Sequence, residues 1–149
     1  MRKEFEGYRR KDGVRMIIGI MGESGSGKTT SLRNLDPKTT VIVDSDKKGL
    51  SWKGWKNDFN DKAKNYVKTD FPQVALQALQ KVDTEEKLKH VKVFVVDTLN
   101  GLMVADEMRR SKEKGYDKWQ DLAQSIYDLV DYALKVRDDL TVVFLAHTQ

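Results

Sequence analysis

Apolar and polar positions alternate along the chain with two different periods. Residues 14–21 (VRMIIGIM), 39–44 (TTVIVD), 91–96 (VKVFVV) and 140–146 (LTVVFLA) are short apolar runs rich in β-branched residues, which predicts four core strands. Residues 65–69 (NYVKT) alternate briefly and predict a minor fifth strand. The intervening stretches follow a helical period. Lys28 opens a helix that Asp36-Pro37 stops. Asp70-Phe71-Pro72-Gln73 offers a capping acid, an early proline and a glutamine three residues after the cap, and Val74, Ala75, Ala78, Leu79 and Val82 follow at helical spacing. A short helix restarts over residues 83–89, and residues 98–110 carry part of an apolar stripe in Leu99, Leu102, Met103 and Met108. Asp117-x-x-Gln120 then caps a strongly amphipathic helix with Trp119, Leu122, Ala123, Ile126, Leu129, Val130, Ala133 and Leu134 on one face and Lys135 and Arg137 at its carboxyl end. Strands alternating with helices predict an α/β fold with a mainly parallel sheet and helices on both faces.

Three stretches break the pattern. Residues 1–13 are polar throughout and read as an arm or edge strand, residues 47–64 have no period and read as a long loop, and residues 111–118 (SKEKGYDK) read as an exposed loop. The second of these changes the charge picture. The net charge is only +4, yet between Lys47 and Lys68 there are seven lysines against Asp58 and Asp61, interleaved with Trp52, Trp55, Phe59 and Tyr66. Such a segment either tracks a nucleic-acid backbone while stacking bases, or is a solvated lysine face whose aromatics anchor a long connection to the core.

A length of 149 residues predicts one domain with a single buried core. A mean hydropathy of −0.62 and apolar runs far too short for a bilayer exclude a helical membrane protein. The amino terminus, MRKEFEGYRRKDG, lacks the apolar core of a signal peptide, so a cytoplasmic location is expected. With no cysteine, disulfides and thiolate metal sites are excluded.

The chemistry is concentrated after the first strand. Gly22-Glu23-Ser24-Gly25-Ser26-Gly27-Lys28-Thr29 fills G-x-x-x-x-G-K-[ST] without a gap, followed by Thr30. Glycines let backbone N–H groups turn inward around a polyphosphate, Lys28 reaches the β/γ oxygens, and the Thr29 hydroxyl is the expected Mg²⁺ ligand. Strand, glycine loop and helix start, in that order, point amides at an anion. The second and third strands both end in acids, on the edge where open α/β sheets bind ligands. Asp44, Ser45 and Asp46 leave the sheet together, and one of these acids is placed to polarise an attacking water. Asp97 closes a run of four apolar residues in the manner of the second nucleotide-binding motif of P-loop proteins, whose carboxylate holds Mg²⁺ through its water shell.

No N-K-x-D guanine-recognition motif and no L-S-G-G-Q signature occurs, and Asp97 is followed by threonine rather than glutamate. The blocks GESGSGKTTSLRNL, VIVDSDKKGLSW, VFVVDTLNGL and VVFLAHTQ, with a long helix before the last, resemble the RecA-type ATPases. The likeness is greatest to the short phage-encoded RecA-like recombination ATPases that accompany single-strand annealing proteins. It covers roughly residues 14–149. It implies a RecA-like ATPase domain using ATP and Mg²⁺, with Asp46 as the catalytic carboxylate and His147 and Gln149 at the fourth strand's tip as γ-phosphate sensors. It further implies DNA contacts from the loop before the long helix, here Lys112, Lys114, Tyr116 and Lys118. Single-stranded DNA, a single-strand annealing protein and further copies of the chain are the implied partners. RecA-type cores continue through more strands, so the likeness also implies truncation after the fourth core strand. Two other readings stay open from the residues: a small-molecule or nucleotide kinase, and a nucleotide-gated assembly module with little turnover.

Overall fold

The computed structural model describes residues 16–23 and 27–148; the predicted arm at residues 1–13, Ser24 to Ser26 and Gln149 lie outside them. Five strands form one sheet: β1 (Met16–Gly22), β2 (Thr40–Asp44), β3 (Tyr66–Lys68), β4 (Val93–Asp97) and β5 (Thr141–His147). Their order is β1-β5-β4-β2-β3, and every neighbouring pair is parallel. The helices are α1 (Trp55–Asp58), α2 (Pro72–Thr84), α3 (Leu99–Arg109) and α4 (Tyr116–Ala133), with 3₁₀ segments at Thr30–Asn34 and Glu86–Leu88.

Both sheet faces are covered, which is why the central strands read as unbroken apolar runs rather than as alternation. Val41 and Val43 of β2, Phe94 and Val96 of β4, and Val142 and Phe144 of β5 face one way, onto Ala75, Leu79 and Val82 of α2, Leu102 of α3 and Leu129 and Ala133 of α4. Their neighbours Ile42, Val95, Val143 and Leu145 face the other way, onto Leu32, Leu50 and Phe59. The cover is therefore unequal. The three longer helices share one face, while the opposite face is covered, among the described residues, by the first 3₁₀ segment and the stretch around α1.

That stretch gives the aromatics of the basic segment a packing role. Phe59 is fully buried, Trp52 meets it edge to face at 6.1 Å between ring centroids, and Trp55 packs on Tyr66 at 5.1 Å. Gly49, at φ +81°, passes so close that a Cβ would lie 2.7 Å from the Trp55 ring. All seven lysines between Lys47 and Lys68 are exposed. The aromatics thus serve as the anchor of a long connection, and the lysines form its solvated side.

Several element boundaries differ from expectation. The stretch after the phosphate loop is a five-residue 3₁₀ segment, Thr30–Asn34, rather than an α-helix. Phe71, not Asp70, precedes α2, with Pro72 in its first turn; Asp70 instead pairs with Arg109 at 2.9 Å and Lys47 at 2.8 Å, which holds its carboxyl below the usual range. Helix α4 starts at Tyr116 after Gly115, so Tyr116 and Lys118 sit in its first turn and not in a loop. No described helix is long and apolar enough to cross a membrane.

Candidate nucleotide site

Every parallel strand delivers its carboxyl end to one edge of the sheet, and the expected site residues assemble there. β1 ends at Gly22. Beyond the undescribed Ser24, Gly25 and Ser26, the chain returns at Gly27 with φ +91°, a left-handed conformation that favours glycine. Lys28 is buried, and its ammonium donates to the carbonyls of Gly22 at 2.8 Å and Glu23 at 2.6 Å, tying the two ends of the loop together. Thr29 Oγ1 donates to Asp97 Oδ2 at 2.9 Å. This contact spans two strand positions, because β5 lies between β1 and β4. The tip of β5 stands beside the end of β1, where Thr148 N–H donates to the Gly22 carbonyl at 2.9 Å and His147 is level with Gly22.

Asp97 is almost fully buried, and its pKa is raised to about 6. Burial is the main cause, Thr29's hydrogen bond opposes it, the charges of Asp44 and Asp46 push further upward and Lys28 pulls down. Asp44 stands directly beside Asp97 in the register but is otherwise employed. Its carboxylate accepts from the Lys47 and Gly49 amides at 3.0 and 2.8 Å and from the Tyr66 hydroxyl at 2.5 Å. Burial and that bond push the Tyr66 hydroxyl well above its ordinary pKa. Asp44 therefore shapes the turn after β2, and Asp46 is the acid of the three-residue run that lies 3.9 Å from His147 Nε2.

Two positions to which the sequence assigned no role hold these groups in place. Ser45 donates its hydroxyl to the Thr98 carbonyl at 2.6 Å and accepts from the Thr98 amide at 2.8 Å, locking the chain just beyond Asp97, where the Asp97–Thr98 peptide is cis. Gly101 approaches so closely that a Cβ would lie 2.3 Å from Ser45 Oγ and 2.6 Å from Asp46 Oδ1. Gly101→Ala is expected to displace both side chains and cost about 1–3 kcal/mol by overpacking, offset in part by helix propensity, as read by urea unfolding.

Asn100 was missed for a similar reason: it belongs to no motif. Its side-chain carbonyl accepts from the His147 amide at 2.6 Å and its amide reaches the His147 carbonyl at 3.5 Å, so α3 fixes the tip of β5. Asn100→Ala is expected to lower kcat about tenfold with little change in KM, a split that steady-state kinetics resolves. A polar residue in the first turn after the acid that ends a strand was the available signal.

Gly27, Lys28, Thr29, Asp46, Asp97 and His147 line a cavity of about 330 Å³. Thr30, Lys48 and Ser51 close its side, with Thr30 Oγ1 and Ser51 Oγ 2.7 Å apart. The residues fit a magnesium ion carried by a nucleotide: Thr29 and Asp97 supply two hard oxygens, and no group of three or more metal-binding side chains exists among the described residues. Mg²⁺ bound with phosphates and water needs no more from the protein. The residues assigned to DNA are elsewhere. Lys112, Lys114 and Tyr116 are exposed, Lys118 Nζ stands 5.1 Å from the Trp119 ring, and none lines the cavity.

The sheet order carries a topological mark of its own, the phosphate-loop strand and the Asp97 strand held apart by the strand that ends in His147. No curated protein matches the chain. A family profile described as "AAA domain" matches residues 15–149, nearly the whole sequence. The chain accordingly belongs to the AAA domain family and carries a P-loop NTPase-like domain.

Proposed function

We propose that the chain binds ATP with Mg²⁺ and hydrolyses its β–γ bond, and that turnover is coupled to single-stranded DNA in a recombination pathway of the phage RecA-like kind. The observation that carries the nucleotide part is the 2.9 Å contact of Thr29 with Asp97, made beside a buried Lys28 in one cavity. The loop amides and Lys28 stabilise charge on the transferring phosphoryl group. Thr29 and Asp97 would hold the magnesium ion, which would supply charge neutralisation on the phosphates. Asp46 orients the water, and His147 or Gln149 responds to the γ-phosphate. Arginine fingers are often supplied by a neighbouring subunit, so the isolated chain turns over slowly.

Ser51 borders both the phosphate cavity and a shallow concavity containing Trp52 and Trp55, which supports placing the base against this wall. Trp52→Ala is expected to raise KM for ATP several-fold and leave kcat nearly unchanged, while tripolyphosphate binding stays as it was.

The DNA part rests on the RecA resemblance and on the exposed Lys112, Lys114 and Tyr116 beside α4, a basic and aromatic group suited to a single strand. Phosphate release measured with and without a single-stranded oligonucleotide tests the whole reading. Stimulation supports it; release that ignores DNA removes the recombination role, and release only with a small acceptor makes the protein a kinase.

A further inference from the structure

A sizeable cavity is found at the opposite edge of the sheet from the nucleotide site, and nothing in the proposed reaction uses it. It encloses about 820 Å³ and is bounded by the start of β2, the end of α2 and the chain before β3. Its floor is an incompletely covered strand. β3 pairs only with Ile42 to Asp44, so Thr40 and Val41 have a neighbouring strand on the β4 side alone. Thr40 is 1 % exposed and its hydroxyl has no hydrogen-bond partner, an uncompensated polar atom that costs about 1–3 kcal/mol.

The walls are built and held. On one side the buried Asn65 donates to the carbonyls of Pro37 and Asp58 at 3.0 and 2.7 Å and accepts from the Asn60 amide at 3.0 Å, so one side chain joins three separate stretches. On the other the Arg137 guanidinium donates to the carbonyls of Val82, Leu88, Lys89 and Val91, and the Arg137 amide donates to Asp83 at 2.7 Å. A cleft braced in this way keeps its shape without a ligand, and its size is that of a small-molecule site. Lys38, Lys64, Lys81 and Lys87 line it against Asp58 and Glu85, and Glu85 is already paired with Lys87 at 3.6 Å.

The geometry points to a second binding site, for a small organic anion whose apolar body lies on Val41, Leu88 and Val91 and whose charge meets the lysine rim. The site is separate from the nucleotide cavity but joined to it by β2, along which Thr40 and Asp44 are about 13 Å apart.

The test uses the whole chain and two dyes of similar shape, anionic 8-anilinonaphthalene-1-sulfonate and neutral N-phenyl-1-naphthylamine. Expected are saturable 1:1 fluorescence enhancement with the anionic dye, no displacement by saturating MgATP, at least tenfold weaker binding in Lys81→Glu/Lys87→Glu, and loss of binding in Ala63→Trp, which fills the cleft from an exposed position. Displacement by MgATP would assign the dye to the nucleotide cavity and overturn the proposal. Survival of binding in Ala63→Trp overturns it as well, and equal affinity of the anionic dye for wild type and charge-reversed protein, or equal affinity of the two dyes for wild type, overturns the anion class. Because ATP binding is read separately, failure here leaves the ATPase reading standing, and failure of the ATPase leaves this one.

Discussion

Lys28→Ala is expected to reduce nucleotide hydrolysis by about 10²–10³-fold or more, the loss seen when one preorganised charge or donor is removed from a developing anion. Its amine is already in place, buried and held by the Gly22 and Glu23 carbonyls, so little reorganisation is needed for it to meet incoming phosphates. Two acceptors 2.8 and 2.6 Å away also suit a compact ammonium with rotatable donors better than a planar guanidinium. Lys28→Arg should therefore recover only part of the rate although it restores the charge. Phosphate release is the measurement, with a thermal melt alongside, because the same two bonds tie the loop and their removal costs stability too. A Lys28→Ala protein that melts normally and hydrolyses ATP at the wild-type rate would remove this loop from the mechanism.

The site was legible where chemistry imposes a spacing and illegible where it imposes only a shape. A polyphosphate needs glycines, an amine and a hydroxyl at fixed offsets, so residues 22–29 announced themselves, and a carboxylate after four apolar residues announced Asp97. The contact between Thr29 and Asp97, 68 residues apart, followed from those two motifs alone. Ser45, Asn100 and Gly101 did not, because what they do depends on how the turn after β2 meets the first turn of α3, a tertiary fact with no local signature. Asp44 shows the same limit from the other side: three acceptor contacts with Lys47, Gly49 and Tyr66 give it a structural task that separates it from Asp46, two residues on. Strand positions were read well because both sheet faces are apolar. The element misread most was the phosphate-loop helix, whose stop at Asp36-Pro37 was read but whose 3₁₀ rather than α geometry over Thr30–Asn34 has no local signature.

Asp97 carries a cost that the proposed function explains, and Asp97→Asn should expose it. The carboxyl titrates at about 6 in the folded chain against an ordinary 3.8, so between those values the folded state holds more protons than the unfolded one. Stability contributed by this group is accordingly lost as pH rises from about 4 to 6, and at pH 7.5 the buried anion costs on the order of 1–3 kcal/mol when no metal or nucleotide is present. Asparagine keeps an oxygen able to accept from Thr29, removes the repulsion with Asp44 and Asp46, and needs no ionisation. The variant is therefore expected to be more stable than wild type at pH 7.5 without Mg²⁺, to lose that advantage as pH falls to 4, and to hydrolyse ATP at least about 10²-fold more slowly. Urea unfolding at the two pH values, beside a phosphate-release assay, reads all three effects. If the amide folds better, the charge of Asp97 is a cost that binding a cation would offset, and with the Thr29 hydroxyl beside it that charge is suited to a magnesium ion. Should the variant prove less stable than wild type at pH 7.5 in the absence of metal, Asp97 is not a charge the fold tolerates for function, and the cation belongs elsewhere.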